Sequence, residues 1–296
     1  MTSFPAETSS GRRVAFVTRG ALPHGAPDDL PAAAELARRG IGVDHVAWDD
    51  PGADWSEYDA ILLRSTWDYH LRLSEFFDWL NGLERDRLPV WNPPDLIRWN
   101  ARKTYLRELE AAGFRVPKTL WAPPGSGATL AGVFAQAGWE RAVVKPIVSA
   151  SAAGTELVGR SDAAAHEQAF TQIRDDHGAM VQEFLPEISR RGEMSLIFFD
   201  PQFSHAARKR PKAGEFRVQE HHGGTAEPAM AAEATVEAAR RVLDGIPGDS
   251  LYARIDLVEY GADPILMEVE LIEPTLFFAL DPDSSARFAE TLERRL

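Results

Sequence analysis

The chain has 296 residues, 44% of them hydrophobic and 26% charged, which is typical of a globular protein with one large domain or two to three smaller ones. Its 32 Lys and Arg residues against 45 Asp and Glu residues leave a formal charge of −13. That charge argues against nucleic acid or an anionic membrane as the main partner. The absence of cysteine excludes disulfides, thiolate metal sites and cysteine nucleophiles.

The N-terminal segment MTSFPAETSSGRR lacks the apolar core of a signal peptide, and no apolar run approaches the ~20 residues of a membrane span. We therefore expect a cytoplasmic protein whose first residues are disordered.

The first hundred residues alternate predicted strands and helices. The predicted strands are RRVAFVTRG, IGVDHVAW, YDAILLRSTW and the short LPVWNP, and the predicted helices are LPAAAELARRG, ended by Gly40, and LSEFFDWLNGLE. This alternation predicts an α/β unit with a parallel sheet. Ligands of such sheets bind beyond the carboxyl ends of the strands, where Arg64, Ser65, Thr66 and Trp67 are expected to lie.

The rest of the chain is richer in strands. A helix is predicted from about Asn100 to Ala112, ending at Gly113, with a loop at WAPPGSGA and a domain boundary near residue 100. Later helices are AEATVEAARRVLDGI and one from about Ser284. The predicted strands are RAVVKPIV, GTELVG, MVQEFL, EMSLIFF, SHAARKR, EFRVQE, SLYARIDLVEY and PILMEVEL. Many strands with few helices between them predict an antiparallel α+β region.

Two of these strands carry an unusual set of carboxylates. Glu268 and Glu270 are two apart in LMEVELIEP, so they share one face of a strand, as Arg254 and Asp256 do in YARIDLVEY. The Gly-Ala-Asp-Pro turn between these strands predicts a hairpin that brings all four side chains together. The set suits either Mg²⁺, which prefers oxygen ligands, or a solvated hairpin with cross-strand ion pairs.

Cations form a second group. Lys145 ends the apolar strand AVVKPIV, where an ammonium is costly unless it meets an anion, and the small residues of SASAAGTEL follow it. That run predicts either a loop that closes over phosphates or a flexible surface hairpin. Lys103 alone would be read as a solvated helix residue.

The segment ARKRPKAGEFRVQEHHGGT concentrates positive charge in an acidic protein, which predicts an anion-binding segment or a solvated basic loop. It contains Arg208, Lys209, Arg210, Lys212, Arg217, His221 and His222. The two histidines are adjacent and would lie on opposite faces of an extended chain, which disfavours a shared metal. The P-loop, dinucleotide-fold and serine-elbow motifs are absent.

Five stretches in order resemble the ATP-grasp superfamily, in its glutathione synthetase and RimK-like branch. They are ARKTYL, AVVKP with its small-residue loop, MVQEFLPE, KRPKAGEFRVQEHHGG, and ARIDLV with LMEVELIEP. The stretches RSTWDYH, VWNPPDLIRWNARKTYL and ELIEPTLFF resemble the D-cycloserine-forming group within it. The resemblance implies an α/β and α+β fold, with an N-terminal α/β domain (1–100) and two α+β lobes (101–185 and 186–296) enclosing ATP.

The resemblance also implies roles for individual residues. Arg210, Arg217 and Arg254 would surround the transferred phosphate, and Asp256, Glu268 and Glu270 would hold Mg²⁺, as two ions, with Mn²⁺ as an alternative. The family usually has Asn where this chain has Glu270, so the coordination of the second ion is open. The ATP-binding set would be Lys103 and Lys145 on the phosphates, Gln182, Glu183, Phe184 and Leu185 at adenine, and Glu193 at the ribose.

Substrate recognition would involve the N-terminal domain. Arg64 would bind a carboxylate, with Ser65 beside it. The aromatic side chains of Trp67 and Tyr69 would line the pocket or belong to the core. Glu273 would bind an amine or pair with an arginine.

The activity implied is ATP-dependent activation of a carboxylate as an acylphosphate, followed by attack of a nitrogen nucleophile. The closest group implies cyclisation of O-ureido-D-serine to D-cycloserine, and the alternative is an intermolecular amide ligase. A Mg²⁺-dependent nuclease and a non-catalytic nucleotide-binding regulator remain as readings of another class. The expected partners are a small carboxylate and an amine, and a homodimer is the oligomer that we consider.

Overall fold

The computed structural model describes residues 11–261 and 263–296, so the predicted disordered start up to residue 10 lies outside the described residues. A parallel sheet opens the chain, formed by β1 (Arg13–Thr18), β2 (Gly42–Ala47), β3 (Ala60–Leu63) and β4 (Val90–Trp91) in the order β2-β1-β3-β4. Helices α1 (Leu30–Arg38) and α2 (Leu73–Arg85) accompany it. The predicted α/β unit is confirmed, including Gly40, whose φ of 76° suits a residue without a Cβ just past a helix end.

The predicted helix from Asn100 to Ala112 is wrong in one respect, because it is two helices, α3 (Pro94–Asn100) and α4 (Tyr105–Ala111), separated by a turn. In that turn the backbone N–H of Lys103 donates to the carbonyl of Ile147, 2.9 Å away, instead of to its own helix. Lys103 therefore stands in a turn that is attached to the end of another strand.

A second sheet is antiparallel, with β5 (Thr119–Ala122), β6 (Arg141–Pro146), β7 (Glu156–Gly159) and β8 (Ala179–Glu183) in the order β5-β8-β6-β7. Two helices that the sequence analysis missed, α5 (Leu130–Ala137) and α6 (Ala163–His177), pack on it through Phe134 and Phe170.

A third sheet, also antiparallel, contains β9 (Glu193–Phe199), β10 (Gln202–Arg210), β11 (Thr225–Ala229), β12 (Tyr252–Val258) and β13 (Ile265–Glu270) in the order β11-β10-β9-β12-β13. The short α7 (Glu187–Arg191) precedes it, α8 (Glu233–Asp244) packs on one face, and α9 (Ser284–Glu293) closes the chain. The predicted strand EFRVQE is wrong. Glu215 folds back to accept hydrogen bonds from the backbone N–H groups of Phe216 and Arg217, which keeps this segment a loop.

Asn92, at the end of β4, joins the first sheet to the third. Its amide donates to the carbonyls of Tyr252 and Leu271 at 2.9 and 2.7 Å, and it accepts from the backbone of Leu251 at 2.6 Å. Because these polar groups are buried and satisfied by one side chain, they fix the relative position of the two sheets. Among the described residues, no helix is long and apolar enough to cross a membrane.

Candidate active site

A cavity of about 820 Å³ lies where the three sheets approach one another. The carboxyl edge of the parallel sheet supplies Arg19 and the segment 67–71, and the second sheet supplies Lys145 and the loop 149–155. The third sheet supplies one wall from β10, β12 and β13. A cavity of this size with convergent charged side chains is the expected form of a small-molecule site.

The acidic hairpin is confirmed, and its register sets the layout of this wall. In the antiparallel pairing of β12 with β13, Asp256 lies opposite Glu268 and Arg254 lies opposite Glu270. Directly opposed residues point to the same face, so the arginine and three carboxylates meet at one place, where all four line the cavity.

Asp256 is the most enclosed of these groups, at 1% exposure. Its carboxylate accepts hydrogen bonds from Ser195 at 2.6 Å, Lys209 at 2.7 Å and Arg254 at 3.0 Å. Burial opposes its ionisation, but Arg254 and Lys209 hold the pKa of Asp256 well below its usual range. The same Lys209 ammonium lies 2.5 Å from Glu193, so one buried cation serves two carboxylates.

The two lysines predicted at the phosphates lie in the same cavity in different electrostatic states. Lys103 donates to Glu268 at 2.5 Å and to the carbonyl of Ser149 at 3.2 Å. Burial alone would lower the pKa of Lys103, but Glu268 raises it. No carboxylate pairs with Lys145 in the described ranges, and burial lowers its pKa to about 8. Lys145 is therefore a partly buried cation that an anion would stabilise.

The carboxylates Asp256, Glu268 and Glu270 offer only oxygen donors, which suit Mg²⁺. As they stand, however, Glu268 pairs with Lys103 and Glu270 with Arg254. Within residues 11–261 and 263–296, no three acidic or histidine side chains converge closely enough to hold a metal ion. The donor chemistry fits the metal, and coordination requires the lysine and arginine partners to move towards another anion.

The predicted adenine segment and ribose acid line one part of the cavity, with Gln182, Glu183, Leu185 and Glu193 on its surface. The Gln182 side chain donates to Thr119 at 3.1 Å, so its amide is engaged within the second sheet. Phe184 does not line the cavity, because its ring packs under the Arg141 guanidinium, 4.0 Å away. Its backbone N–H donates to the carbonyl of Arg141 at 3.4 Å, so this group is engaged as well.

Two predicted arginines and a serine lie outside the cavity. Arg64 is 1% exposed, because it pairs with Asp29 at 2.9 Å and donates to the carbonyl of Pro274 at 3.0 Å. Ser65 is buried beside it. Arg210 points to the other face of β10, where it pairs with Glu227 at 3.1 Å. The predicted carboxylate grip of Arg64 and phosphate contact of Arg210 are therefore wrong in this structure.

Lys209, one residue earlier, faces the cavity in place of Arg210, since neighbouring strand residues point to opposite faces. Arg217 also lines the cavity and pairs with Glu215 at 2.7 Å, an interaction that lowers the pKa of Glu215 to about 2. His221 and His222 do not lie on opposite faces of an extended chain. They sit in a helical turn with ring centroids 4.1 Å apart, and both line the cavity.

The edge of the parallel sheet forms one end of the cavity. Trp67 and Tyr69 line it together with Glu273, and the Trp67 indole donates to the carbonyl of Glu273 at 3.1 Å. Burial, with repulsion from Glu270, raises the pKa of Glu273 to about 8. Arg19, which the sequence analysis missed, lines this end as well. Its position directly after the buried strand RVAFVT was the available signal.

The family of the chain follows from this geometry and from comparison with known proteins. Residues 128–283 match the family described as "Prokaryotic glutathione synthetase, ATP-grasp domain", and residues 14–92 match "D-cycloserine synthetase DcsG, N-terminal domain". The chain belongs to the ATP-grasp family and is an ATP-dependent, ADP-forming carbon–nitrogen ligase of the D-cycloserine synthetase-like group. This family uses ATP with divalent metal ions.

Individual relatives agree with this assignment. The chain is 30% identical over 286 residues to the Cycloserine biosynthesis protein DcsG of Streptomyces lavendulae, covering 90% of this chain and 94% of that protein. The crystal structure of D-cycloserine synthetase DcsG has a TM-score of 0.84 at 27% identity, over 96% of this chain and 99% of that one. The RimK domain ATP-grasp protein of Sphaerobacter thermophilus shares the fold, with a TM-score of 0.70 at 18% identity over 94% and 98% of the two chains.

Proposed function

We propose that the cavity activates a substrate carboxylate as an acylphosphate and closes a ring on it, converting O-ureido-D-serine to D-cycloserine. The proposed substrate is supported by the match of residues 14–92 to the N-terminal domain of D-cycloserine synthetase. That region supplies the sheet edge from which Arg19, Trp67 and Tyr69 reach the cavity. The region that matches the N-terminal domain of the cycloserine enzyme is thus a region that would meet the substrate.

The nucleotide would lie against the second and third sheets. Lys145 has no carboxylate partner among the described residues and would take phosphate directly. Lys103 would exchange Glu268 for phosphate, and Arg217 would exchange Glu215. The small-residue loop 149–155 borders the same space and would cover the phosphates. The backbone of residues 182–185 would meet adenine, and Glu193 the ribose.

Asp256, Glu268 and Glu270 would hold Mg²⁺, as a pair of ions. The bound metal would neutralise charge on the transferred phosphoryl group. Movement of Lys103 away from Glu268 would supply a cation to the nucleotide and would leave the Glu268 carboxylate available to the metal. One rearrangement would therefore accommodate both the nucleotide and the metal. Glu270, which stands where the family usually has Asn, is balanced by its ion pair with Arg254.

The chemistry places few demands on the protein beyond position and charge. The substrate carboxylate would accept the γ-phosphoryl group near Arg254, with ADP as the product. The substrate nitrogen bonded to oxygen would then attack the acyl carbon, and inorganic phosphate would leave. Free cycloserine also requires one water to remove the carbamoyl group, which departs as carbon dioxide and ammonia.

The test is coupled ADP release with Mg·ATP, using each enantiomer of O-ureidoserine, single amino acids and amino-acid pairs, with mass spectra of the products. ADP release and cycloserine from the D-enantiomer alone is the expected result. ADP release that requires two different substrates would replace the cyclisation by an intermolecular ligation. ATP binding with no ADP release from any compound would favour a non-catalytic regulator.

A further inference from the structure

Arg19 stands out among the cations of the cavity. It follows β1 directly, at the carboxyl edge of the parallel sheet, and its Nε atom is buried without a hydrogen-bond partner. Across the portion of the chain that the structure describes, no carboxylate pairs with it. A buried guanidinium N–H that lacks an acceptor is unfavourable, so a ligand that supplies one would bind there.

The other cations on the walls already have assignments. Lys103, Lys209, Arg217 and Arg254 are each paired with a carboxylate. Lys145 is unpaired among the described residues but lies on the second sheet, where the phosphates are proposed to bind. Within the described residues, Arg19 is therefore an unpaired cation on the edge of the first sheet, which carries the proposed substrate wall.

Glu273 provides a complementary carboxyl group beside it on the cavity wall. This carboxyl group makes no ion pair with any described residue, and the backbone carbonyl of Glu273 accepts a hydrogen bond from the indole of Trp67. Trp67 follows β3, which pairs directly with β1, the strand before Arg19. Within the described residues, an unpaired guanidinium and an unpaired carboxyl group thus belong to the same part of the cavity wall.

We propose that Arg19 determines substrate specificity by binding a planar, oxygen-bearing group at the side-chain end of an amino-acid substrate, while Glu273 receives the ammonium. The guanidinium presents its N–H groups in a fixed plane, which matches a carboxylate or a ureido group. The carboxylate that becomes phosphorylated would lie elsewhere, beside Arg254, as proposed above. The inference rests on the proposed function and extends it to the class of side chain that the enzyme accepts.

Arg19→Gln tests this assignment by comparing the KM for the amino-acid substrate with kcat and with the KM for ATP. The expected result is a rise of about 10-fold or more in KM for the amino-acid substrate, with the KM for ATP unchanged, since only the substrate end loses charge-assisted hydrogen bonds. Arg85→Gln is the matched control, because Arg85 is 75% exposed on α2 of the same unit and, among the described residues, its ion-pair partner is the neighbouring Asp86. The Arg85 variant is expected to keep both KM values.

Three ligands separate the sources of the planar group: O-ureido-D-serine, D-glutamate and D-alanine, which lacks such a group. Their binding to wild-type protein and Arg19→Gln is measured by calorimetry with a non-hydrolysable ATP analogue. Weaker binding of the ureido compound alone identifies a ureido site, and weaker binding of D-glutamate alone identifies a carboxylate site. Equal weakening of D-alanine would overturn the inference.

The outcomes also separate this inference from the proposed function. If wild-type protein releases ADP and Arg19→Gln has the same KM for the amino acid, the Arg19 assignment is overturned and the ligase proposal stands. If wild-type protein binds the compounds with an Arg19-dependent affinity but releases no ADP, the site stands and the proposed reaction falls. If no compound binds wild-type protein beside the nucleotide analogue, the inference is overturned.

Discussion

Replacing Lys209 by methionine should destabilise the protein strongly, although Lys209 lies in a cavity wall. Its ammonium is 2.5 Å from Glu193 and 2.7 Å from Asp256, and the Lys209 side chain is 7% exposed. Methionine keeps most of the apolar stem while removing the charge, so the change isolates the electrostatic contribution.

The magnitude follows from burial of the partners. Removing one member of a buried ion pair costs roughly 3–5 kcal/mol, because the remaining charge is left without compensation. Arg254 still serves Asp256, but Glu193 has no other cation among its described contacts. With an unfolding entropy of about 2.1 cal/mol/K per residue, a chain of this length should lose roughly 5–8 °C in melting temperature.

The assay is thermal unfolding followed by tryptophan fluorescence, without nucleotide or metal, for wild type, Lys209→Met, Glu193→Gln and the double variant. The double variant should be less destabilised than the sum of the single effects, because the charge that Lys209 neutralises at Glu193 is gone. The shift should persist at high salt, since buried charges are little screened.

Arg85→Gln serves here too, and its melting temperature should stay within about 1 °C of wild type, since exposed ion pairs contribute little. A Lys209→Met protein as stable as this control would refute the argument. Strict additivity in the double variant would show that Lys209 and Glu193 do not interact.

Three further outcomes are expected. Glu268→Gln should lower kcat for ADP release by roughly 100-fold or more, because it removes a proposed metal ligand while an amide oxygen can still meet Lys103; near-normal turnover across a Mg²⁺ titration would contradict this. Lys145→Met should raise the KM for ATP by roughly 10- to 100-fold, and the matched Arg210→Gln, outside the cavity, should not. Because burial raises the pKa of Glu273 from 4.5 to about 8, ionisation opposes folding as pH rises through that interval. Glu273→Gln should therefore melt like wild type near pH 5 and above it near pH 9, and a difference that does not grow with pH would contradict the cause.

The acidic hairpin could be predicted from sequence because its geometry is local. Alternation fixes the face of Glu268 and Glu270, and a short turn limits the register with Arg254 and Asp256. The parallel sheet was accessible for a similar reason, since β1 and β3 are compact apolar runs.

Other features depend on partners that are distant in sequence. Arg64 was chosen as a ligand because it follows β3, but its charge is satisfied by Asp29, 35 residues earlier. The face of Lys209 could not be assigned because cations occupy both faces of β10 and the strand is irregular between Phe203 and His205. Helix α6 has little amphipathic character and only Ala163 and Phe170 fully buried, so its pattern gave a weak signal.

The pairing of charges in the cavity distinguishes the proposed metal ligands from one another. Glu268 and Glu270 are each about a quarter exposed, whereas Asp256 is enclosed by Ser195, Lys209 and Arg254. Lys103 neutralises Glu268. A phosphate can draw Lys103 away, because Glu268 is partly exposed and would not be left as a buried charge. Lys209 cannot leave Asp256 in the same way, because it also neutralises Glu193, which would then lose its ion pair. Glu268 and Glu270 would therefore be free to adjust to a bound metal, whereas Asp256 would meet it from a fixed position in the third sheet.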